Sequence, residues 1–150
     1  METRNELCRV LAEKKEAFLR YEKETAALLT CAIDEIQLHM ENRQRLADEI
    51  DHLDARLSQL AADNPNHQDE IRMALKNRCA RNRLSAEMQP VFDAAQGIFT
   101  VIHRIQRMES SVEERIQQEQ KILLEKIKEL NRTAGIAQTS HFSSLQSTKA

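Results

Sequence analysis

Residues 46–60, LADEIDHLDARLSQL, place Leu46, Ile50, Leu53, Leu57 and Leu60 at steps of four, three, four and three. That spacing keeps the apolar side chains on one seam of an α-helix, as lengthwise packing against a neighbouring helix requires. Toward the N-terminus, Leu7, Leu11, Phe18, Tyr21, Leu28, Leu29, Ile33 and Ile36 recur mainly at helical spacings, and no Gly or Pro interrupts the chain from Glu2 to Ala62. The pattern predicts one helix of about 60 residues, some 90 Å long if unbroken. His39 and Arg43 fall where the seam would pass, which marks residues 37–43 for a kink.

Composition agrees with that class. Two glycines, two prolines, no Trp and one Tyr in 150 residues are too few turn and strand formers for a sheet protein. Asp63-Asn64-Pro65-Asn66-His67 is the clearest break, because Pro holds its predecessor extended and Asn and Asp bond to their own backbone. A second, half-exposed helix is expected over about residues 68–88, with Ile71, Ala74, Leu75, Cys79 and Leu84 as its stripe. Pro90 marks either the first turn of a third helix or a kink between collinear segments. From Val91 an apolar stripe continues through Ala95, Ile98, Ile102, Ile105, Met108, Val112, Ile116, Leu123 and Ile127 to Leu130, long enough to pair antiparallel with most of the first helix. Gly135 reads as its stop signal. The expected fold is therefore all-α. It is a long antiparallel helical hairpin or three-helix bundle with coiled-coil-like packing, one domain over 1–135 with helices at about 2–62, 68–88 and 91–133. A disordered, Ser/Thr/Gln-rich tail follows at 136–150.

The charges, 22 basic and 24 acidic, nearly cancel, so no global field favours nucleic acid or an anionic membrane. Cys8, Cys31 and Cys79 are odd in number and widely spaced, which suits reduced thiols acting as small hydrophobes in a cytosolic protein. No apolar run approaches the roughly 20 residues needed to cross a bilayer, and Met1 leads into a polar stretch rather than a signal sequence. The five histidines show no zinc spacing with Cys or acids, and the glycine-rich phosphate loops and GxSxG are missing. No catalytic, metal or cofactor site is expected. Arg72, Lys76, Arg78, Arg81 and Arg83 form the one strong local charge, with no acid between them. Without aromatics or a helix-turn-helix companion, a nucleic-acid role ranks low, and the segment is expected to face Asp48, Glu49, Asp51 and Asp54 or to be solvated.

Glu109, Glu119 and Lys126 occupy a strict heptad continuation from Val91, where a dry seam wants apolar residues. One explanation is the drift of a straight helix, about 20° per heptad, which moves the seam to Met108 and Ile127. The other is that the helix from Ile116 onward is not fully paired and keeps Ile122, Leu123, Leu124, Ile127 and Leu130 for a partner. Leu123 and Leu124 are adjacent, so the apolar set exceeds one stripe and needs a second cover, either a client helix or another copy of the chain. Phe142 and Leu145 are the large apolar residues of the tail, where they would serve as a docking element that folds on binding or belong to an inert tail.

Three stretches of the sequence also carry a resemblance. Leu11-x-Glu13-Lys14, Glu22-x-Glu24-Thr25-x-x-Leu28-Leu29 and Arg43-Gln44-x-Leu46-x-x-x-Ile50-Asp51-x-Leu53-Asp54 look like the N-terminal half of the FlgN-type flagellar export chaperones. Ile102 to Asn131, with Glu109, Val112, Ile116 and Lys126-Ile127-x-x-Leu130-Asn131, followed by Ala137 and an aromatic near the end, is similar to the rest. The resemblance covers most of the chain through degenerate helical patterns. It implies a cytoplasmic, helical chaperone that holds the C-terminal helical segments of hook-filament junction proteins unpolymerised and delivers them to the flagellar export gate. By position, the client would meet Ile116, Leu123, Leu124, Ile127, Leu130 and Phe142. Family members often carry a Tyr near the end where this chain has Phe142. The alternatives are a self-associating coiled-coil protein and, less favoured, a nucleic-acid or regulatory binder using residues 72–83.

Overall fold

Thr30 ends the first helix, well short of the 60-residue span that its spacing predicts. The structure is a computed structural model that describes the backbone of residues 2–147 and the side chains of residues 2–135. Helix α1 is Glu2–Thr30 and helix α2 is Ile36–Ala62. Between them Ala32 is extended (φ −62°, ψ 149°), and a 3-10 turn, Ile33–Glu35, closes with Glu35 N–H donating to Ala32 O at 2.9 Å. The reversal needs neither Gly nor Pro. A lone 60-residue helix would leave its whole apolar stripe in water, whereas folding it back lets both halves bury theirs.

The two helices run antiparallel. Thr3 meets Asn64 (3.3 Å), Lys14 meets Asp54 (2.6 Å), Tyr21 meets Arg43 (2.7 Å) and Glu24 meets His39 (2.5 Å). His39 and Arg43 therefore sit inside α2, and the break expected at 37–43 lies at 31–35 instead.

Helix α2 stops where the sequence said a turn belongs. Asp63 N–H still donates to Gln59 O as the last helical rung, but Asn64 N–H turns to Ala61 O (3.2 Å) while its side-chain Nδ2 donates to Leu60 O at 2.8 Å, so local bonds end the helical ladder there. Helix α3, Gln68–Lys76, has nine residues, much shorter than the expected 68–88. It ends at Asn77, whose φ of 52° lies in the left-handed region that Asn tolerates better than most residues. The Asn77 amide donates to Ala74 O (3.0 Å) and Phe92 O (3.2 Å), tying the end of α3 to the next helix. A 3-10 turn at Arg81–Arg83 follows, then helix α4, Gln89–Ser147. Pro90 occupies the first turn of α4, where its missing N–H costs no helical bond. Gly135 lies within α4 and does not stop it, in contrast to the expected end near residue 133.

The chain divides into two units, 1–112 and 113–150. The first is a three-helix bundle of α1, α2 and α4 up to Val112, with α3 packed across one end. Lys15 Nζ lies 3.5 Å from where a Cβ on Gly97 would sit, and Arg104 holds Glu22 by two bonds (2.6 and 2.9 Å), so α4 runs parallel to α1. It is antiparallel to α2, not to α1 as the sequence reading had it. Leu7, Leu11, Leu57, Ala61, Ile71, Met88, Val91 and Ile98 belong to one buried core, with Cys8 and Cys79 packed against it. The three cysteines are unbridged, and burial pushes the Cys8 thiol pKa up. Thr25, fully buried, donates its hydroxyl to Tyr21 O one turn back at 2.8 Å.

The polar residues that break the seam answer one another. Arg43 Nη2 donates to Tyr21 OH (2.7 Å) and to Glu109 Oε1 (3.0 Å), and the guanidinium stands 4.7 Å over the Tyr21 ring. One residue from each of the three helices thus meets at a single junction, which fixes their register. Lys15 offers only its flexible end to a Cβ at position 97, so Gly97→Ala should stabilise the bundle by about 1 kcal/mol through helix propensity. A rise in the urea midpoint checks this, and a fall would mean that α1 and α4 are closer there than the structure has them.

Ion pairs hem the bundle surface. Arg104 lowers the Glu22 pKa, Arg81 lowers that of Asp93, and Arg56 that of Glu6, while Glu70 is lowered by hydrogen bonds from Ser85. Each group is more acidic folded than unfolded, so its contribution is present above the unfolded value, 4.5 for the glutamates, and lost as pH falls through the folded one. The thermal midpoint should stay level from pH 7 to about 5 and drop below about 4.5, with Glu22→Gln giving a shallower drop in acid titrations followed by circular dichroism. An unchanged acid limb in that variant would remove the Arg104 pair from the account. These pairs are exposed, so each adds little at neutral pH and ordinary salt.

Candidate functional site

Residues 113–135 of α4, EERIQQEQKILLEKIKELNRTAG, are rich in straight-chain helix formers, and Thr133 Oγ1 donates back to Glu129 O at 3.0 Å. A rotation of about 100° per residue brings Ile116, Gln120, Leu123, Ile127 and Leu130 onto one stripe, about 21 Å from first to last at 1.5 Å rise. Leu124 borders that stripe and Ile122 lies off it. Leu123 and Leu124 are each 58% exposed, Ile127 44% and Leu130 68%. Ile116 is half-buried, as is Glu119. The sequence-expected set therefore comes together as one exposed apolar face from Leu123 to Leu130, with Ile116 at its less exposed end. Phe142 and the rest of the expected tail at 136–150 lie outside the residues whose side chains are described.

Charge on this segment is unevenly distributed. Residues 113–119 carry Glu113, Glu114 and Glu119 against Arg115, whereas residues 120–132 carry Lys121, Lys126, Lys128 and Arg132 against Glu125 and Glu129. The first third is acidic and the remainder basic.

Sequence reading missed a second apolar exposure. Ile33, Leu38 and Met40 are exposed at the α1–α2 reversal, whereas the sequence pattern places Ile33 on the apolar stripe of a continuous helix. The signal was present: the 4-3 rhythm lapses between Ile36 and Leu46, with His39 and Arg43 in the gap.

No ion pair joins the basic segment to the acidic run of α2 among the described residues, although Lys76 and Asp54 line one cleft, and most of the segment is solvated as the second expectation had it. Arg81 makes two bonds to Asp93 (2.8 and 3.0 Å), while Asp54 is held by Lys14 and Asp48 accepts from Gln44 at 3.1 Å. Arg72, Lys76, Arg78 and Arg83 are exposed. A cleft beside Thr3, Arg4, His67, Glu70, Ser85 and Glu87 contains Glu87 Oε1, a buried oxygen without a hydrogen-bond partner among the described residues. Another, of about 270 Å³, lies over Phe18, Tyr21, Ile50, Ile102 and Ile105. Among the described residues no three of His, Cys, Asp and Glu converge as a metal ion would require, and no helix is long and apolar enough to cross a membrane. Compared with protein-family models, curated proteins and solved structures, the chain gives no significant match in any of them.

Proposed function

We propose that this chain is a non-catalytic, cytoplasmic export chaperone of the FlgN type, and that its helix face from Ile116 to Leu130 captures an amphipathic helical segment of a hook-filament junction protein. The observation that carries the reading is the run of four exposed large apolar residues, Leu123, Leu124, Ile127 and Leu130, within two turns of one helix. Soluble chains seldom leave so concentrated an apolar face to water without a partner for it. The patterns quoted above from Leu11 to Asp54 and from Ile102 to Asn131 supply the client class.

Energetics suit capture and release. Covering the exposed part of these four side chains gives roughly 3–7 kcal/mol in gross transfer free energy, to which the client's own apolar face adds. Association costs of about 4–15 kcal/mol offset much of that, so the net affinity is moderate and the client can be handed on. A helix laid along the face would cover the apolar stripe through which the client otherwise polymerises.

Light scattering after size exclusion tests this, on the chain alone and with the C-terminal helical segment of a hook-junction protein from the same genome. A stoichiometric complex supports the reading. Failure of the segment to bind at about 100 μM, some tenfold above a 10 μM Kd, removes it. The nucleic-acid alternative through residues 72–83 has less behind it, since Arg81 is already paired with Asp93.

A further inference from the structure

We propose that the Ile116–Leu130 stripe is self-complementary, so that without any client it pairs antiparallel with the same stripe of a second copy, Glu119 of each chain beside Lys126 of the other. This inference stands apart from the chaperone reading and rests on spacing and charge.

Ile116, Gln120, Leu123, Ile127 and Leu130 repeat at four, three, four and three residues, the rhythm of a coiled-coil seam. Glu119 and Lys126 are seven residues apart and therefore flank that seam on the same edge. An antiparallel partner related by a two-fold axis near Lys121 and Ile122 sets Ile116 opposite Ile127, Gln120 opposite Leu123 and Leu130 opposite Glu113. It also sets Glu119 alongside Lys126, and symmetry makes every one of these contacts twice.

The uneven charge gives the same orientation. Parallel in-register pairing would lay the acidic residues 113–119 of one copy beside those of the other, and likewise the basic residues 121–132. Antiparallel pairing brings opposite ends together. The half-burial of Ile116 and Glu119 does not extend to Leu123, Leu124, Ile127 and Leu130, whose exposed surface is what the second copy covers.

The test uses the full chain at low salt, with mass measured by light scattering across a concentration series. The expected result is a rise from 17.3 kDa toward twice that mass. Glu119→Lys and Lys126→Glu should each raise the dimer dissociation constant roughly tenfold, by turning two attractive contacts into two repulsive ones. The double variant Glu119→Lys/Lys126→Glu should return it to within about threefold of the original, because the pairs are restored with their signs exchanged. Glu and Lys have similar helix propensity, and circular dichroism confirms that each variant is folded.

A chain that stays monomeric at about millimolar concentration overturns the proposal, as does a dimer that the single reversals leave unchanged or the double reversal does not rescue. The last two outcomes would point to parallel or other pairing. A monomer that still binds the hook-junction segment would leave the chaperone reading in place, and a rescued dimer that ignores the segment would do the reverse.

Discussion

Leu123→Asp combined with Leu130→Asp should remove detectable binding of the hook-junction segment while leaving helix content unchanged and the thermal midpoint within about 2 °C, as exposed substitutions usually do. Both side chains are more than half exposed, so the folded chain gives up few contacts when they change. In the complex each would be covered by the client, and an Asp there becomes a desolvated charge with no partner. Two central apolar anchors lost at about 2 kcal/mol or more each weaken binding roughly a thousandfold. Titration calorimetry on wild type and variant reads the loss, and circular dichroism on the same samples reads the fold. If the double variant unfolds, Leu123 and Leu130 belong to a folded core and the face has been misassigned.

The fold class was legible because helical periodicity survives in every long segment, but the path of the chain was not. Periodicity reports which residues share a face and says nothing about a reversal made from ordinary residues. Ala32 turns the chain with an extended backbone that any residue adopts, so no Gly or Pro announces it. His39 and Arg43 did mark an anomaly, and it was read as a kink. The structure explains them as polar groups satisfied across the hairpin, His39 by Glu24 and Arg43 by Tyr21 and Glu109. Glu109 was likewise flagged as a misfit on the α4 seam, and the two misfits prove to be partners. Sequence spacing could expose each of them but could not join residues 66 positions apart. On the candidate face the sequence did better. Adjacent Leu123 and Leu124 cannot share one stripe, and that excess appears as exposed surface. The α3 boundary was missed because Asn77, a left-handed cap, resembles any other polar residue in a helical stretch.

Leu7→Ala should lower stability by about 2–5 kcal/mol, the range for a Leu truncated in a packed interior. Leu7 is fully buried in the core with Leu57 and Ala61 of α2, Ile71 of α3, Met88 just before α4 and Val91 in its first turn. A cavity at that meeting point cannot be filled by moving one helix alone, because α3 is held to α4 through Asn77 and Phe92 O. Little relaxation is available, which argues for the upper half of the range. Domains of this size have roughly 5–15 kcal/mol in total, so the variant would approach the edge of folding. Its thermal midpoint should fall by about 10 °C or more, measured by circular dichroism and supported by a lower urea midpoint at unchanged slope. The same substitution at Leu130, 68% exposed, should move either midpoint very little. The contrast separates two settings of leucine in this chain, buried in the bundle core at Leu7 and exposed on the α4 face at Leu130. If Leu130→Ala instead proved as costly as Leu7→Ala, the second segment would owe its helix to contacts that the exposed face does not make.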